Sequence, residues 1–149
     1  MIELTKVEIE LSGQPVGKGR PRFTKAGHIY TPNKTRDYER RLHAAAWGQM
    51  VKQNVNQTER PVVLEIVAFM EIPKSWPKVK RLEAEYGAIS HTSTPDLDNI
   101  VKCVADGLIH TVYADDKQIV SIKAQKRYCH PERGPALYVS VSWTDDGKE

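Results

Sequence analysis

Residues 62–72 read VVLEIVAFMEI and are bounded by Pro61 and Pro73. Apolar and β-branched side chains fill nearly every position, the composition expected of a core strand covered on both faces. Shorter alternating runs lie on either side of it. In residues 2–11, Val7, Ile9 and Leu11 alternate with Lys6, Glu8 and Glu10, which is the period of a half-buried strand. Residues 118–128 and 136–144 read as two more strands; in the second, Leu137, Val139, Val141 and Trp143 alternate with Tyr138, Ser140 and Ser142. The linking CHPERGP is short enough to make these two an antiparallel pair.

Three helices are expected among the strands. Thr31 and Pro32 mark the start of the first, since proline is tolerated where the N–H groups of a first turn lack intrahelical partners. It runs to about Gln53 with an apolar stripe of Tyr38, Leu42, Ala45, Ala46 and Met50. Ser75 is placed to cap a second, short helix through Tyr86, with Pro77 in its first turn and Gly87 past its end. The third covers residues 98–108. Between the first strand and the first helix, SGQPVGKGRPRF suits a loop or extended arm, followed by a short strand at 28–31. The expected fold is therefore α+β, one domain over residues 1–149. A mixed or antiparallel β-sheet packs with about three helices, with a core of 1–145 and a frayed tail at 146–149.

A length of 149 residues, 40% hydrophobic and 28% charged, fits one globular core and excludes disordered, collagenous or disulfide-dense classes. The N-terminus MIELTKVEIEL has no continuous apolar region and no later run is long enough for a membrane span, so a cytoplasmic location is expected. Cys103 and Cys129 read as free thiols. The net charge of +3 identifies no partner, but its distribution is uneven. Residues 18–41 carry eight basic side chains against two acidic ones, a net +6, whereas 95–116 carry five aspartates against Lys102, a net −4. An arm able to neutralise phosphates and a cluster able to hold cations thus occur in one small domain.

The acidic cluster has internal order. Asp96 and Asp98 are two apart in a segment read as extended up to the helix, so both carboxylates can reach one cation. Asp98 read alone is a plain helix N-cap rather than a ligand. On the helix Asp98, Lys102 and Asp106 lie within about 80° of one another, opposite Ile100, Val101, Val104 and Leu108; the plainer account of that ionic face is a solvated ladder of i,i+4 pairs. Asp115 and Asp116 precede the strand at 118, and adjacent side chains diverge there, so one is expected to aim at the site and the other to face solvent or cap the turn. Neighbouring carboxylates repel each other, and a hard cation such as Mg²⁺ relieves that repulsion. Such a site suits phosphodiester hydrolysis, with Lys102 stabilising phosphoryl charge or orienting water.

KGRPRF, then PDLDNIVKCVADGL, then YADDKQIV resemble, in order and spacing, the RusA family of Holliday junction resolvases in the form often encoded by prophages. The likeness covers about residues 14–128. A lone DxD is weak, but DxDNxxK with a DD pair ending 14 residues after the lysine is specific. The resemblance implies an α+β homodimer that nicks four-way DNA junctions in pairs with Mg²⁺ or Mn²⁺ during recombination and repair. It puts the essential carboxylates at Asp96, Asp98 and Asp116, with Lys102 as the basic catalytic residue. Asp115 matches the less certain member of the pair, and Asp106 a position often acidic whose role it leaves open. The inserted SWPKVKRLEAEYG leaves substrate preference open.

Lys18, Arg20, Arg22, Lys25, Lys34 and Arg36 are expected to contact DNA phosphates, the plainer account being a solvated basic loop. Phe23 or Tyr30 suits base stacking or packing. Trp47 and Trp143 are expected in a core or interface. The His and Cys spacings match no zinc pattern. Two other functions fit the same residues: a less selective nuclease for flaps or forks, and a module that binds branched DNA without cutting it.

Overall fold

In the computed structural model, residues 2–30 and 32–145 are described; Thr31, the side chain of Tyr30 and the tail at 146–149 fall outside them. The chain forms β1 (Glu3–Ser12), β2 (Arg22–Phe23), β3 (Ile29–Tyr30), α1 (Asn33–Gln53), β4 (Val62–Met70), α2 (Lys78–Glu85), α3 (Leu97–Gly107), β5 (Ile119–Tyr128) and β6 (Ala136–Asp145). A single 3₁₀ turn at Asp116–Gln118 leads into β5. The fold is α+β, as expected.

Four strands make one mixed sheet in the order β1-β6-β4-β5, with β4 and β5 parallel and the other neighbours antiparallel. Alternation sends one set of side chains inward, so rows of apolar residues cross the sheet. Ile9 pairs with Val139, Val139 with Ile66 and Ile66 with Ala124. This face is covered by α1 through Tyr38, Leu42, Ala46 and Met50, and by α3 through Ile100, Cys103, Val104 and the following Leu108, all buried. Complete burial of a side chain such as Leu42 contributes about 2 kcal/mol. The two helices cross closely at Gly107, where a Cβ would lie 3.0 Å from Leu42 Cδ2 and 3.5 Å from Glu39 Cα.

Several details depart from the expectations. β5 and β6 are not paired with each other, because β4 lies between them. The 62–72 run is covered on one face only: Val62, Leu64, Ile66, Ala68 and Met70 are buried, while Val63, Val67 and Phe69 are partly exposed and Glu65 faces solvent. The charge of Glu65 in an otherwise apolar run marks the open side. The arm is partly committed to a ladder, Arg22 and Phe23 pairing with Tyr30 and Ile29. Helix α2 starts at Lys78 with Pro77 at its N-cap, so Ser75 does not cap it. Trp143 is buried in the core, but Trp47 is 62% exposed and belongs to no core.

Candidate active site

Helix α3 begins one residue earlier than the sequence suggests. Asp96 is its N-cap, extended at φ −66° and ψ 146°, and its carbonyl accepts the N–H groups of Asn99 and Ile100 at 3.1 Å each. The Asp96 carboxylate makes no capping bond, so it is not spent on ending the helix. Asp98 sits in the first turn rather than at the cap, where the helix dipole favours a negative charge by about 0.3–1 kcal/mol. Both side chains are exposed, as is Lys102 one turn on. Ile100, Val104 and Leu108 are buried and Val101 is partly buried, so the division of this helix into an ionic and a core face is as its periodicity predicts. Cys103 falls on the core side, and burial pushes its thiol up to about 12.

Asp106, whose part was open, holds the basic arm. Lys18 Nζ lies 2.9 Å from Glu39 Oε2 on α1 and 3.0 Å from Asp106 Oδ2 on α3. Burial alone would lower the pKa of this ammonium, but hydrogen bonds and charge from Glu39 and Asp106 outweigh it and the net shift is upward. The backbone of the arm is fixed as well: Lys18 N–H donates to the Asn99 carbonyl at 2.8 Å and Gly19 N–H to Thr35 Oγ1 at 2.9 Å. Gly17 packs so closely that a Cβ would stand 2.8 Å from Pro95 Cβ and 3.1 Å from Asn99 Cβ. Lys18 is therefore an internal counter-ion in this structure, while Arg20, Arg22, Lys25 and Lys34 remain exposed or line the groove beside it. Arg36 donates to Asn33 Oδ1 at 2.6 Å.

Of the Asp115–Asp116 pair, Asp115 caps the turn, and the two carboxyls stay in hydrogen-bonding contact rather than diverging. Asp115 Oδ1 accepts the Lys117 N–H at 2.9 Å, and Gln118 Oε1 accepts the Asp115 and Ala114 N–H groups at 2.9 Å each, closing a capping box. Gln118 Nε2 then donates to the carbonyls of Thr58 and Arg60 at 3.0 and 2.9 Å, tying the turn to the segment before β4. The bond from Lys117, then that with Asp116, holds the Asp115 carboxyl below its usual range. Asp116 moves the other way: its hydrogen bond with Asp115, slight desolvation and repulsion from Asp115 and Asp106 raise it. Buried Tyr113 donates from its hydroxyl to the Ala105 carbonyl at 2.7 Å, which pins the return from α3 to this turn.

Asp96 and Asp98 thus share the start of α3, and Asp116 stands in the same field as Asp115 and Asp106. Among the described residues, no three Asp, Glu, His or Cys side chains are gathered so that they could hold a metal ion. The donors are exposed carboxylates, and Asp116 is raised by its acidic neighbours, which is the chemistry that suits a hard cation. A groove runs beside the arm: Gly17, Gly19, Arg20, Arg22 and Lys34 line it together with Thr94 and Pro95, which precede Asp96 in sequence. Sequence reading missed two organising residues. Gln118 was legible in the D-x-x-Q pattern of a capping box; Lys126, whose ammonium donates to the Ser93 and Pro95 carbonyls, had no signal.

A basic arm beside exposed helix-start carboxylates suits a protein that acts on nucleic-acid phosphates. The sequence model of the family described as "Endodeoxyribonuclease RusA" matches residues 12–142. The chain is also 30% identical over 141 residues to a protein of Bacillus subtilis (strain 168) described as "Uncharacterized protein YqaN", covering 91% of this chain and 97% of that one. The chain belongs to the RusA family of endodeoxyribonucleases. Among the described residues no helix is long and apolar enough to cross a membrane.

Proposed function

We propose that this endodeoxyribonuclease resolves four-way DNA junctions by paired symmetric nicks, using Mg²⁺ or, in its place, Mn²⁺, and working as a homodimer. The observation that carries this reading is the groove lined by Arg20, Arg22 and Lys34 together with Thr94 and Pro95, the residues that precede Asp96 in sequence. A phosphate backbone bound along those guanidinium and ammonium groups is delivered to the two carboxylates of the α3 start.

In this reading Asp96, Asp98 and Asp116 would hold the ion, which has to draw them together because among the described residues no three such side chains are gathered without it, and Asp115 shapes the turn that carries Asp116. Bound there, the ion supplies activation of water and stabilisation of the entering and leaving oxygens. Magnesium keeps several waters and takes phosphate oxygens as ligands, so a few carboxylates suffice. Lys102, on the same face as Asp98, stabilises charge on the phosphoryl oxygens. Arg20, Arg22, Lys25 and Lys34 orient the DNA, and Lys18 acts through the arm it moors. Each chain brings one acidic cluster, whereas two cuts related by a two-fold axis need two, which a C2 dimer supplies.

The test is cleavage of synthetic four-way, flap and linear DNA with Mg²⁺ or Mn²⁺. Symmetric nicks in the four-way substrate, abolished by EDTA and by Asp98→Asn, are expected. Preferential cutting of flaps would establish the less selective nuclease instead, and binding without any metal-dependent product would establish a binding module.

A further inference from the structure

We infer that Lys126 is a positioning residue for the carboxylate site, holding the bent segment that leads into α3 so that Asp96 and Asp98 are presented together; the catalytic part of this inference rests on the function proposed above. Its place in the sheet makes the side chain unusual. Leu11 pairs with Leu137, Leu137 with Ala68 and Ala68 with Lys126, so Lys126 occupies the helix-covered face at the β5 edge, in line with core residues. There its ammonium donates to the Ser93 carbonyl at 2.8 Å and the Pro95 carbonyl at 3.0 Å.

Residues 90–96 have no helical or ladder assignment, so their backbone groups need partners from elsewhere. Lysine fits this task, having three donors and no acceptor. A cation beside a helix N-terminus is disfavoured by the helix dipole, so the position works against the charge and the two carbonyl bonds must offset it. Pro95 also packs closely on Gly17, where a Cβ would stand 2.8 Å from Pro95 Cβ, and two residues along β5 the Tyr128 ring meets His91 edge-on, with centroids 5.0 Å apart. The segment that ends at Asp96 is thereby fixed at His91, Ser93 and Pro95. The ammonium is occupied by protein carbonyls rather than offered to DNA phosphates.

The experiment compares wild type, Lys126→Met and Lys126→Arg as full-length chains. Hydrogen exchange without metal is followed at the hydrogen-bonded amides of residues 99–101, where about tenfold faster exchange is expected in Lys126→Met, with the core strands unchanged and Arg restoring protection. In single-turnover cleavage of a four-way junction, Lys126→Met should raise the Mg²⁺ midpoint or lower the saturated rate by about 10- to 100-fold, as loss of a group supporting metal ligands does. Junction affinity in EDTA should stay within about twofold, because no phosphate contact is removed. Wild-type exchange and an unmoved Mg²⁺ midpoint in Lys126→Met would overturn the inference, as would a loss of junction affinity with the midpoint unchanged. If Lys126→Met does not fold, Lys126→Gln is judged by the same exchange measurement. If wild type itself fails to cut, the proposed function fails, while the exchange comparison still decides whether Lys126 fixes the α3 start.

Discussion

Replacing Lys18 with methionine removes a cation that lies between two carboxylates. Its ammonium is 2.9 Å from Glu39 Oε2 and 3.0 Å from Asp106 Oδ2, so those oxygens are at most about 6 Å apart. Without Lys18 they repel by about 0.7 kcal/mol if screened as in bulk water and about 2.8 kcal/mol at an effective dielectric of about 20. With the two partly buried ion pairs lost as well, Lys18→Met should destabilise the fold by roughly 2 kcal/mol, a drop in Tm of about 6–8 °C for a chain of this size. Adding Asp106→Asn removes one of the opposed charges, so the double variant should be less destabilised than the sum of the singles by about 1 kcal/mol. The sign with pH is fixed: a raised pKa means that Lys18 contributes fully below 10.5 and loses its contribution only as pH rises through the folded value. The assay is urea and thermal denaturation of the four proteins from pH 6 to 9, together with junction binding. A Lys18→Met variant as stable as wild type but weakened in DNA affinity would refute the counter-ion role and return Lys18 to the phosphate-contacting set.

Three further outcomes follow from the same contacts. Gly17→Val places a branched side chain where even a Cβ meets Pro95 at 2.8 Å, so about 1–3 kcal/mol of stability should be lost and tryptic cleavage at Lys18 and Arg22 should accelerate. Tyr113→Phe removes the hydroxyl bond to the Ala105 carbonyl at 2.7 Å and should cost about 1 kcal/mol in urea denaturation. His91 is held below 6.5 by burial and then by the charge of Lys126; its contribution is whole above that value and is lost as pH falls through the folded pKa. Thermal stability should therefore decline on acidification below about pH 6.5, and His91→Gln should flatten that part of the profile; an equal decline in the variant would contradict the assignment.

Local periodicity carried most of the fold. Alternation in β1 and β6 and the helical spacing of Tyr38, Leu42, Ala46 and Met50 correspond to the buried face observed. The order of the strands was not legible, because a short connection between 128 and 136 favours pairing neighbours, whereas β4 inserts between them through contacts distant in sequence. The one-sided burial of β4 was signalled only by Glu65. At the site, the ionic face of α3 and the turn-capping part of Asp115 were readable, since both depend on residues a few positions apart. Lys18 and Lys126 were not, because their partners Glu39, Asp106, Ser93 and Pro95 come from other elements and a lysine in sequence does not say whether it meets a carboxylate, a carbonyl or a phosphate.

The claim on which the account turns is that carboxylates from the start of α3 and from the turn before β5 share one divalent ion. Crystals soaked in Mn²⁺ and measured for anomalous scattering address it directly. The account predicts a peak with Asp96, Asp98 and Asp116 as ligands, absent in crystals of Asp98→Asn. A peak at Asp106 or Asp115 alone, or ordered Mn²⁺ that leaves Asp116 apart from Asp96 and Asp98 in every subunit pairing, would contradict it.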